Sequence, residues 1–189
     1  MNLELPDRES RLEFLRQVQE RGAQDPALCY QCGKCTAGCP IAYAMDYPPH
    51  QIMRHVQLGR RDLVLSSRTI WLCAACETCS TRCPQEVEPA GVMDALRRIA
   101  YAEGIKSPER DVPLFHRIFL ESVRQFGRTF EAAMIGFYNL LSGHLTKDVD
   151  MAPKMLLKGK LSLLPPRAKD SKELRKMFAK VKELEGKLG

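Results

Sequence analysis

A chain of 189 residues, 44% hydrophobic and 28% charged, has room for one ordinary domain with an appendage or for two small ones. Its net charge of +6 is unevenly spread: Lys154–Gly189 holds 11 Lys and Arg against 4 Asp and Glu, while the remainder carries 18 against 19. Eight cysteines, a charged start with no apolar leader and no stretch of about 20 apolar residues argue against a secreted disulfide scaffold or a membrane span, and for metal or redox chemistry in a reducing cytoplasm.

In chain order, residues 1–24 are predicted to hold a helix. Leu12, Leu15 and Val18 recur at i, i+3 behind the capping-box-like Ser10–Glu13, and Gly22 ends the pattern. A cysteine run follows, Cys29, Cys32, Cys35, Cys39 and then Pro40. Pro49 opens a second helix, as proline does in a first turn, and Gly59 closes it. A second cysteine run, Cys73, Cys76, Cys79, Cys83 and Pro84, leads to a helix that starts at Pro89. Its apolar stripe is Val92, Leu96, Ile99 and Ala100, and it stops at Gly104. Further stripes follow at Phe115, Ile118, Phe119, Val123 and at Met134, Ile135, Tyr138, Leu141. A proline-rich break covers Leu163–Arg167, and a last stripe runs through Leu174, Met177, Phe178, Val181 and Leu184. These stripes suit core faces. No segment alternates with period two, so the fold expected is all-α, with the cysteine runs as loops between helices. Three parts are expected: an N-terminal helix in 1–24, a cysteine domain in 25–105 and a helical extension with a basic tail in 106–189.

The two runs are copies of one another. Every cysteine and the closing proline of the first matches one of the second at an offset of 44 residues. Each run is C-x2-C-x2-C-x3-C-P, the spacing that holds 4Fe–4S cubanes. Three cysteines at intervals of three wrap a tight loop around one cluster, and the fourth ligates the cluster of the other run. Two crossed 4Fe–4S clusters are therefore predicted. One takes Cys29, Cys32, Cys35 and Cys83; the other takes Cys73, Cys76, Cys79 and Cys39. A zinc site would more simply use two C-x2-C pairs and four ligands. Gly33 and Gly38 are expected to let the backbone approach the cluster closely. Lys34, Arg68 and Arg82 are the nearest candidates to balance its negative charge. Tyr30 and Trp71 are candidates to shield the clusters from water, with simple core packing the other reading for Trp71.

All eight cysteines are used as ligands, which leaves no thiol for nucleophilic work. His50, His55, His116 and His144 show no triad-like pattern, and no nucleotide-binding glycine loop is present. No catalytic residue is predicted: the pattern is that of an electron conductor. The basic tail suits an acidic partner protein. A nucleic-acid role is disfavoured, because the tail's lysines are not interleaved with aromatic residues.

Three phrases taken together resemble the C subunit of heterodisulfide reductase: CYQCGKCTAGCP, PPHQIMRHVQLG and IWLCAACETCSTRCP, within residues 25–105. The resemblance implies an α-helical ferredoxin fold. It also implies a soluble complex of an oxidoreductase, in which this chain passes electrons from a flavin- and iron–sulfur-bearing partner, the A subunit, to the B subunit. The latter reduces a disulfide at clusters bound by CCG motifs. This chain has no CCG motif, so the disulfide chemistry is not expected here. The alternative within electron transfer is an iron–sulfur subunit of a quinone-linked dehydrogenase.

Overall fold

In a computed structural model, the structure describes residues 5–22, 25–145, 151–160, 162, 164–165, 168 and 171–185. Among them every regular element is a helix and no strand occurs. The chain forms two compact units, one up to Arg110 and one from Asp111.

The first unit is built on α1 (Arg8–Glu20), α2 (Lys34–Ala37), α3 (Pro49–Gln57), α4 (Arg61–Leu65), α5 (Thr69–Leu72), α6 (Thr78–Thr81) and α7 (Pro89–Ala102). The cap of α1 is not the expected Ser10. Asp7 accepts the N–H of Ser10 at 2.9 Å and its hydroxyl at 2.7 Å, because the helix begins one turn earlier. The buried face is also shifted: Phe14 and Val18 are sealed in the core while Leu12 is half exposed. The two post-cysteine helices end as expected. Gly59 and Gly104 are left-handed (φ 70° and 67°), and the next residue's N–H reaches back to His55 and Ala100 at 2.9 Å.

The core lies between α7 and the helices around it. Val92, Met93, Ala95, Leu96, Ile99 and Ala100 of α7 meet Phe14 and Val18, Ile52, Met53 and Val56, Val64 and Leu65, and Ile70 and Trp71. Trp71 packs in this core, and the partly buried Cys29, Cys73 and Cys83 pack against its edge. The cysteine loops are thus attached to the best-packed part of the unit. Asp46 fixes their relative position. Its carboxylate accepts the N–H groups of Arg68 (2.8 Å) and Thr69 (3.0 Å), capping the helix that delivers Cys73 from the segment that follows Cys39.

The second unit holds α8 (Asp111–Phe126), α9 (Glu131–Ser142), α10 (Ala152–Leu157) and α11 (Ser171–Glu185). Its apolar stripes do not make a closed core. Leu120, Phe137, Leu140, Leu141, Met177 and Val181 are exposed, and among its described residues only Ser122 is buried. Leu163, Pro166 and Arg167 of the expected proline-rich break lie outside the described residues.

Candidate metal centre

The sequence repeat is a repeat in backbone. The short helices α2 and α6 start and stop at the same offset of 44 as the cysteines, with Lys34 matching Thr78 and Ala37 matching Thr81. The residues in front of them match too. Gln31 and Ala75 are left-handed (φ 66° and 50°), and so are Gly33 and Glu77 (φ 76° and 60°). A left-handed residue with a side chain costs about 1–2 kcal/mol, so three non-glycine cases within two short loops mark a geometry that the surroundings impose. Gly33 is free of that cost, whereas Gly38 has an ordinary φ of −96°. What Gly38 makes room for is Arg82: a Cβ at position 38 would lie 2.9 Å from the guanidinium Nη1.

These turns take backbone N–H groups out of the main-chain hydrogen-bond ladder. Those of Tyr30, Gln31, Cys32, Ala74, Ala75 and Cys76 donate to no backbone carbonyl among the described residues. The N–H groups of Thr36 and Ser80 favour the thiolates of Cys35 and Cys79, and those of Ala75 and Thr78 the thiolates of Cys73 and Cys76. Side chains add to this. Gln31 Nε2 donates to Cys29 Sγ at 3.4 Å, and Thr78 Oγ1 lies 3.4 Å from Cys76 Sγ. Thr36 Oγ1, next to Cys35, accepts the N–H of His50 at 3.2 Å and sits 2.7 Å from His50 Nδ1. His50 is thereby tied to the first loop.

Cysteines from the two runs meet. Cys39 of the first run lines one hollow with Cys73, Cys76 and Cys79 of the second; its other walls include Pro40, Ile41, Met45, Pro49, Ala90 and Met93. The hollow is partly open to solvent. Conversely, partial desolvation raises the Tyr30 pKa, and Cys32, then Cys83 of the second run and Cys29, add to that rise. Burial pushes the Cys35 thiol up to about 11, so ligation there must displace a tightly held proton. Cys76 is exposed, and hydrogen bonds from the Thr78 hydroxyl and N–H hold its thiol below the ordinary value. Among the described residues no three His, Cys, Asp or Glu side chains are drawn together as a single-ion site. Four thiols around a largely apolar hollow fit a cubane, whose core spreads its ligands further apart than one ion does.

Of the charged neighbours expected, the Arg82 side chain lies against Gly38 of the first loop. Lys34 is exposed, and Arg68 is paired with Glu109 instead of a cysteine loop. Arg97, which the sequence did not single out, reaches the carbonyl of Cys73, and Gln57 does the same at Cys29. Tyr30 is exposed.

Residues 28–88 match the 4Fe-4S dicluster domain family. Across the chain, 33% of 96 residues are identical to the C subunit of the H(2):CoB-CoM heterodisulfide,ferredoxin reductase of Methanothermobacter marburgensis, over 51% of this chain and 52% of that one. Identity is 45% over 78 residues with the C subunit of the ferredoxin:CoB-CoM heterodisulfide reductase of Methanosarcina acetivorans, 41% of this chain and 31% of that one. The chain is a relative of the heterodisulfide reductase C subunits. A further relative, from Methanopyrus kandleri, is named as the iron-sulfur C subunit of CoB--CoM heterodisulfide reductase, with 42% identity over 40% of each chain. The chain spans about half the length of the first relatives it matches. The dicluster domain and the eight cysteines support iron–sulfur clusters, within an all-helical ferredoxin-like fold. Among the described residues no helix is long and apolar enough to cross a membrane.

Proposed function

We propose that the chain is the electron-transfer subunit of a heterodisulfide-reductase-type complex and carries no substrate site of its own. In this reading it binds two 4Fe–4S clusters with crossed ligation. Cys29, Cys32, Cys35 and Cys83 hold the first; Cys73, Cys76, Cys79 and Cys39 hold the second. The observation that carries the reading is the convergence of Cys39 on the hollow lined by Cys73, Cys76 and Cys79, the set that the repeat predicts.

Each cluster supplies one-electron storage at a potential set by its surroundings. The chain's own residues do the rest. The N–H groups of Thr36, Ala75, Thr78 and Ser80 favour the thiolates beside them, and such hydrogen bonds stabilise an added electron. The α7 core anchors both loops. Cys32 and Cys76 are exposed, one in each set, so each set offers an edge to a partner. The proposed partners are a flavin- and iron–sulfur-bearing subunit on one side and a CCG-motif, disulfide-reducing subunit on the other. The exposed apolar residues of α9 and α11 and the basic face of α11 suit docking to such partners.

The test is capture of the tagged chain under anaerobic conditions, followed by stopped-flow reduction of the isolated assembly. The expected result is co-purification of a flavoprotein and a CCG protein, with cluster bleaching that precedes disulfide reduction. A chain that purifies alone from its native host and accepts no electrons from a co-expressed flavoprotein would contradict the proposal.

A further inference from the structure

The repeat extends past the cysteines to two side chains outside the ligand sets. The helices after the two runs match at an offset of 40: Pro49–Met53 falls on Pro89–Met93, and Gln57 therefore falls on Arg97. Each of these residues turns back to the carbonyl of the first cysteine in its own run. Gln57 Nε2 donates to Cys29 O at 2.7 Å, and to Pro26 O at 3.0 Å. Arg97 Nη1 donates to Cys73 O at 3.0 Å. Equivalent positions do the same mechanical work with different electrostatics: one side chain is neutral, the other carries a full charge. The Arg97 side chain is only 14% exposed, so water screens it poorly. Its acidic neighbour Asp94, 3.4 Å from Nη2, is 56% exposed and so only partly offsets that charge. The other charges near the loops, Lys34, Glu77 and Arg82, are all exposed.

We propose that the Gln57/Arg97 difference gives the pair of clusters a direction, with Arg97 holding the cluster of Cys73, Cys76, Cys79 and Cys39 at the higher reduction potential. The inference rests on the two-cluster reading above. Reduction adds one negative charge to a cluster, and a fixed, poorly screened cation beside it stabilises that charge more than an amide dipole does. Electrons entering at the first set would then come to rest on the second. Arg97 acts on the cluster through the field and through the Cys73 carbonyl, and is a positioning residue.

The experiment is an EPR-monitored redox titration of the full chain, purified anaerobically. Iron is counted first: a wild-type chain with fewer than about eight irons contradicts the two-cluster reading itself, whatever Arg97 does. With both clusters present, two reduction steps are expected. Arg97→Gln makes the two positions alike and should weaken reduction at the upper step about tenfold, which is 59 mV for a one-electron couple, with the lower step unmoved. Arg97→Lys keeps the charge and should hold the upper step near its wild-type value. Gln57→Arg should raise the lower step by a similar amount, and it decides the matter if Arg97→Gln loses iron. An unmoved upper step in Arg97→Gln, equal movement of both steps, or no movement of the lower step in Gln57→Arg would overturn the proposal.

Discussion

At the residue scale the cysteines differ in how the fold treats their protons. Cys35 is buried and its thiol lies near 11, while Cys76 is exposed and held low by Thr78. The crossed sets make a prediction that needs no assignment of spectra. Cys39→Ala should leave the same residual EPR spectrum as Cys76→Ala, and a different one from Cys32→Ala. A match between Cys39→Ala and Cys32→Ala would mean that each run ligates its own cluster. The cysteine pattern was fully legible in the sequence, because ligand spacing is local and the repeat doubles the signal. The residues around the sulfurs were not. Asp46, Gln57, Arg97 and the Thr36–His50 pair reach the loops only after α3, α5 and α7 have docked. Arg68, judged by nearness in sequence, turns instead to Glu109. One signal was available for Gln57 and Arg97: the offset of 40 between the helices pairs them.

At the element scale, helix ends and caps hold the loops apart at the right distance. Gly59 ends α3 at φ 70°, and a Cβ there would lie 2.9 Å from the backbone Cα of Arg11 in α1. Gly59→Ala combines strain with a clash that no rotamer relieves, and should destabilise the chain by about 1–3 kcal/mol in urea unfolding. Asp46 makes a pH-dependent contribution. Burial alone would raise its carboxyl pKa, but the Thr69 hydroxyl and the N–H groups of Arg68 and Thr69 outweigh burial and bring it below the usual 3.8. The stability it adds is present above that usual value and is lost as pH falls through the lowered one. Asp46→Ala should therefore cost about 1 kcal/mol at pH 7, a modest figure because the carboxylate is partly exposed, and the gap to wild type should narrow at pH 3. Helix boundaries at Gly59 and Gly104 were legible from glycine alone, whereas the cap of α1 was misplaced because Asp7 and Ser10 both suit that role.

At the scale of the whole molecule, the two units differ in kind. The first is closed around α7, and Leu96→Ala in that core should cost about 2–5 kcal/mol. The second leaves its apolar residues on the outside, along with the exposed Lys172, Arg175, Lys176, Lys180 and Lys182 of α11. Periodicity announced the helices of that unit but not their exposure, since a stripe has the same spacing whether it faces a core or a partner. If the basic helix docks to an acidic partner, deleting residues 168–189 should weaken assembly at low salt and abolish its sensitivity to ionic strength. Unchanged assembly of the truncated chain at low salt would remove the tail from the interface. Electron transfer by this chain depends first on what the eight cysteines hold. The most direct measurement is the iron and sulfide content of the anaerobically purified chain, with Mössbauer spectroscopy of the same sample. Two cubanes predict about eight irons and eight sulfides per chain, with all the iron in 4Fe–4S signals. Zinc in place of iron, or about four irons in a single cluster, would contradict it.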